Sequence, residues 1–98
     1  EKKILGMKAS SYMLQILGSS NQQNVRDYVK RYAGRMPISY FETAINQKPW
    51  YVVLVGPYAT RELAQQELKG LPTEVQKQSP WVRSVGSIQA DIKSRSTR

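Results

Sequence analysis

Trp50-Tyr51-Val52-Val53-Leu54-Val55, followed by Gly56-Pro57, is the stretch that decides the fold of this 98-residue chain. Six consecutive β-forming residues read as the strongest strand in the sequence, and Gly56-Pro57 stops it. Upstream, Asn46-Gln47-Lys48-Pro49 supplies a polar turn, and Pro37 to Ala44 alternates well enough for a partner strand. Downstream, Thr60 caps a helix whose apolar face carries Leu63, Ala64, Leu68 and Leu71, with Glu62 in the first turn and Pro72 as its close.

The same pattern stands further upstream. Tyr12 to Leu17 is a strand, Gly18-Ser19-Ser20-Asn21 breaks it, and Asn21 caps a helix on which Val25, Tyr28, Val29 and Tyr32 recur at spacings of three and four up to Gly34. A slide of 39 residues sets Tyr12 on Tyr51, Asn21 on Thr60 and Val25 on Ala64, so two strand-helix-strand units follow one another. Beyond a polar stretch at 73–80, Trp81 to Val85 makes a short fourth strand that Gly86 ends. Ile88 and Ile92 then mark a last helical turn or two at 87–93.

The predicted architecture is α+β: a split β-α-β-β-α-β arrangement, a four-stranded antiparallel sheet with strands 1 and 3 central, two helices on one face and a short C-terminal helix. Residues 1–10 read as a linker, 11–93 as the single domain and 94–98 as a disordered tail. The chain opens at Glu1 without a signal-like or membrane-spanning run, as expected for a fragment of something longer.

The net charge of +8 points first to nucleic acid, an anionic membrane or an anionic polymer. Its distribution weakens that reading, because the first eleven residues carry +2, the last six +3, and 12–92 only +3. With neither His nor Cys, disulfides, thiolate or imidazole metal sites and triads built on those residues are excluded. Glu42, Glu62, Glu67 and Glu74 share no evident site, so no enzyme and no cofactor is expected.

Period-2 geometry turns Tyr12, Leu14, Ile16, Tyr51, Val53 and Val55 toward the helices and sends Met13, Gln15, Trp50, Val52 and Leu54 to the other face. An uncovered antiparallel face is normally polar; this one carries a Trp and several aliphatics beside one Gln. The expectation is a groove only partly roofed by 87–93, floored by strands 1 and 3 and edged by Trp50, Trp81 and Ser19-Ser20-Asn21. Trp faces stack on sugar rings while Gln, Ser and Asn meet hydroxyls and acetamides, so a saccharide chain suits it. Bases stack on Trp equally well, which leaves single-stranded RNA open as an alternative on the same sheet, and the apolar outer face leaves a protein-interaction domain open as another.

The run Tyr12-Met13-Leu14-Gln15-Ile16, the segment Pro49 to Tyr58 with its following Thr-Arg-Glu-Leu-Ala helix start, and Pro80-Trp81 in this order and spacing resemble a SPOR domain. The resemblance covers roughly residues 10 to 93. It implies a non-catalytic module that binds septal peptidoglycan, with preference for glycan strands stripped of stem peptides. It also implies a periplasmic location in an inner-membrane protein enriched at the division septum, other division proteins as further partners, and no nucleic acid. The ligand positions it implies are Gln15, Trp50 and Trp81. A small hydroxyl residue belongs shortly after the Gln, where this chain has Gly18 with Ser19 beside it. A denuded strand bares a lactyl carboxylate on each muramic acid, which Arg83 or Lys48 would meet.

Overall fold

A computed structural model describes the backbone of residues 2–96 and the side chains of residues 4–92. In chain order its elements are α1 (Lys2–Leu5), β1 (Tyr12–Ser19), α2 (Gln22–Tyr32), β2 (Ile38–Ile45), β3 (Lys48–Tyr58), α3 (Arg61–Lys69), α4 (Thr73–Gln76), β4 (Trp81–Ser84) and α5 (Val85–Ser96). One antiparallel sheet runs β2-β3-β1-β4, with β3 and β1 central as the sequence predicts.

The sheet separates two cores. On one side Leu14, Ile16, Tyr51, Val53 and Val55 pack against Val25 and Tyr32 of α2 and Ala64 of α3. Each helix starts on the cap its sequence offers: Asn21 Oδ1 accepts the Asn24 N–H at 3.0 Å and Thr60 Oγ1 the Leu63 N–H at 3.1 Å. Leu63, assigned to the apolar face, is instead 45% exposed, because the α3 stripe passes through Ala64 and Leu68. The polar stretch after Pro72 contains α4, whose Val75 is fully buried and whose Glu74 accepts the Tyr32 hydroxyl at 3.0 Å.

The opposite side is a second core, formed by Ile4, Met13, Phe41, Val52, Leu54, Val85, Ile88 and Ile92. Here the structure departs from expectation. The C-terminal helix starts at Val85, directly after β4, and has 12 residues where 87–93 was predicted. Ser84 Oγ accepts the Ser87 N–H at 3.3 Å, so a serine cap starts the helix at the place where Gly86 reads as a stop. The predicted tail is helical as far as Ser96, and Thr97 and Arg98 lie outside the described residues.

Within the segment 1–10 read as a linker, residues 4–9 pack on the domain. Ile4 is 2% exposed in the second core, and Gln89 of α5 donates to the carbonyls of Ile4 at 2.9 Å and Met7 at 2.8 Å. Val85 and Gly86 donate their backbone N–H groups to Ser11 and Ala9, so the N-terminal segment also satisfies the first turn of α5. Glu1 lies outside the described residues.

Nor does Gly56-Pro57 stop β3, which runs to Tyr58 and pairs there with Tyr12. The register shifts between Tyr12 and Leu14, and Gly56 sits opposite that irregularity at φ 138°. A Cβ on Gly56 would lie 3.3 Å from Met13 Cα, so glycine lets β3 take up its own extra residue, Gly56 and Pro57 together facing Met13. A second shift, between Gln15 and Leu17, sets Gly18 opposite Val52 and returns it to the α5 side of the sheet.

Candidate functional site

α5 covers Met13, Phe41, Val52 and Leu54 but leaves the end of the face that carries Gln15, Gly18, Trp50 and Trp81. Trp81 opens β4, an edge strand, directly across from Gln15, and is 52% exposed. A tryptophan so placed contributes little to the core and offers a flat apolar face to solvent.

Trp50 is half-buried, packed on the edge of the second core and against Gly18. A Cβ at position 18 would lie 2.4 Å from Trp50 Nε1 and 2.9 Å from its Cε2. The indole therefore lies directly on the backbone of β1, and only glycine admits it. Gly18, three residues along β1 from Gln15, sets Trp50 further along the same face from the Gln15–Trp81 pair. The result is an open strip with an aromatic side chain at each end.

Gln15, half-buried in the middle, is held by Arg83. Met13 and Arg83 pair across β1 and β4, which turns the Arg83 side chain onto the α5 side. Its Nη1 donates to Gln15 Oε1 at 2.9 Å, its Nε to Ser87 Oγ at 2.9 Å, and its Nη2 to the Ser87 carbonyl at 3.2 Å and to the Asp91 carboxylate. The Arg83 side chain is only 14% exposed, so this is a partly buried, charge-assisted network. Ser87 and Asp91 stand four apart on one face of α5.

These contacts revise several expectations about single residues. Val52, 4% exposed, and Leu54, fully buried, belong to the second core and offer no surface to a ligand. Arg83 is paired with Asp91 and does not stand as a free cation; Lys48 is exposed. Ser19 pairs with Tyr51, which packs in the helix-side core, and its Oγ accepts the Asn21 N–H at 3.1 Å. The Asn21 side chain caps α2. Both therefore shape the entry to a helix, while Ser20 stays exposed beside them. Ser87 and Asp91, which no sequence motif marks, join the polar network of the candidate site, and Gly18, marked in the sequence as a strand break, seats the Trp50 indole.

No group of three or more metal-ligating side chains occurs among the described residues, and no helix there is long and apolar enough to cross a membrane.

A four-stranded antiparallel sheet with two helices on one face is shared by binding modules of several kinds, and sequence comparison identifies which family this chain represents. The chain belongs to the SPOR domain family, whose model matches residues 8–84. It is similar to the cell division protein DamX of Serratia marcescens, with 36% identity over 84 residues. That alignment takes in 86% of this chain but 39% of DamX, so the chain spans well under half of its relative. The family match includes Gln15, Trp50 and Trp81; α1 and α5, which close the second core, lie outside it.

Proposed function

We propose that this SPOR domain is a non-catalytic binding module for septal peptidoglycan, that its ligand is a glycan strand stripped of stem peptides, and that it carries its parent protein to the division site. The observation that supports this most is the strip in which exposed Trp81 and half-buried Trp50 flank the Gln15 amide. Ring C–H groups of successive sugars stack on the two indoles while the amide between them reads a polar substituent. The strip is shallow, so affinity comes from several adjacent sugars rather than from one enclosed pocket.

The similarity to a cell division protein supports the septum as the site of action and division proteins as further partners. The parent protein we infer is anchored in the inner membrane, with this domain in the periplasm. Single-stranded RNA is the competing ligand for an aromatic sheet face. Two features favour glycan over RNA: α5 closes the sheet centre on which bases would stack, and Asp91 neutralises the nearest arginine.

Co-sedimentation with purified sacculi tests the proposal. The domain should pellet with amidase-treated sacculi more than with untreated ones, and Trp81→Ala should abolish pelleting without lowering the melting temperature. Equal pelleting with both preparations sinks the preference for denuded strands.

A further inference from the structure

The Gln15 amide is fixed in one orientation by chemistry. A guanidinium carries only donors, so the Gln15 atom facing Arg83 Nη1 at 2.9 Å is Oε1. The opposite orientation would set N–H against N–H. Arg83 is itself immobilised by three acceptors, two on Ser87 and the Asp91 carboxylate, all supplied by α5. The Nε2 group of Gln15 consequently faces away from the network, and no hydrogen bond to it is made among the described residues.

We propose that Arg83 and Asp91 are positioning residues that make Gln15 a dedicated hydrogen-bond donor, so that the site selects an acceptor oxygen on its ligand. This rests on the glycan reading and sharpens it. On a strand freed of stem peptides the strongest acceptor is the bared lactyl carboxylate, and a donor N–H facing it makes a charge-assisted bond. A strand still bearing peptides has that carboxylate tied up in an amide. The preference for denuded strands then comes from an oriented neutral amide and needs no free cation, because the charge of Arg83 is already compensated by Asp91.

Gln15→Glu separates donor from acceptor. The glutamate keeps the size of the side chain and pairs with Arg83, so the domain should melt no lower than the parent. With no donor left and a carboxylate facing a carboxylate, affinity for denuded glycan should fall by at least roughly tenfold. Arg83→Met, which frees the amide to turn, should weaken binding several-fold, and Arg83→Lys, which restores a donor to Oε1, should recover most of it. In the ligand-free domain the Gln15 side-chain NH2 resonances should shift and sharpen toward free-amide behaviour in Arg83→Met. Binding by Gln15→Glu within twofold of the parent overturns the donor assignment. Gln15 resonances indifferent to Arg83→Met overturn the positioning role, whatever the glycan result. Failure of the parent itself to pellet with treated sacculi overturns the glycan reading instead, and the resonances then decide the positioning role alone.

Discussion

Gly18 shows how much a missing side chain determines. The indole of Trp50 occupies the space a Cβ would need, at 2.4 Å, and the strand backbone cannot retreat without losing its pairing to Val52. Gly18→Ala should therefore displace Trp50 into solvent, destabilise the domain by about 1–3 kcal/mol, and red-shift the emission of Trp50 in a Trp81→Phe background. Tyr28 makes the opposite case. Its ring packs 5.1 Å from that of Tyr32, yet its buried hydroxyl finds no partner among the described residues. Removing it with Tyr28→Phe should raise stability by about 1 kcal/mol, measured by urea denaturation at neutral pH. Burial pushes the Tyr28 phenol above its ordinary pKa, with Tyr32 and Glu74 adding to the effect; Tyr58 is raised likewise, by burial first and then by Glu67. The unfolded chain thus releases these protons before the folded one does. Their contribution to stability is whole below about pH 10 and is lost as pH rises beyond it. Urea midpoints between neutral and strongly alkaline pH should follow that fall, and Tyr28→Phe should flatten part of it.

Among the elements, α5 is the one whose removal would reach furthest. It supplies Val85, Ile88 and Ile92 to the second core and Ser87 and Asp91 to the network around Gln15. Ile88→Ala should cost about 3 kcal/mol, read from the shift of a chemical denaturation curve. The β2–β3 hairpin offers a gain instead. Its two turn residues, Asn46 and Gln47, both have positive φ, at 52° and 68°, a conformation in which glycine is favoured at the second position. Gln47→Gly should add about 1 kcal/mol to stability.

The elements also show where sequence is informative. Strands and capped helices were legible because their signals are local: Asn21 and Thr60 cap the helices they precede, and Tyr12 to Leu17 and Trp50 to Val55 are β-forming throughout. α4 was not, since one turn with a single buried residue, Val75, has no period to detect. Residues 1–10 were not, because the anchor there, Ile4, is buried against a helix more than eighty positions away. In the site, the alternation of strand 1 exposed Gln15, and composition marked Trp50 and Trp81. The bond from Arg83 to Gln15 depends on the β1–β4 register across 68 residues, which no local spacing encodes.

For the whole molecule, the charge of +8 says less than it first promises. Arg26, Lys30, Arg31 and Arg35 lie on or just after α2, on the far side of the sheet from Trp50 and Trp81, and Arg83 is compensated within the site. A short single-stranded oligonucleotide should accordingly compete poorly with glycan for the strip, and whatever retention it shows should vanish steeply with salt. Fluorescence anisotropy at two ionic strengths checks this; tight, salt-insensitive oligonucleotide binding would contradict the glycan reading.

α5 closes one core and, through Asp91, steadies the amide at the centre of the strip. If the strip binds glycan as proposed, opening of this helix competes with recognition. Each conformer with α5 lifted lacks a fixed Gln15, and the apparent affinity is the intrinsic one multiplied by the closed fraction. By the same linkage a bound ligand must hold the helix down, raising the melting temperature and slowing hydrogen exchange along Val85 to Ile92. A substitution in α5 that never touches sugar, Ile92→Ala, should then weaken binding in proportion to the open population that exchange rates report.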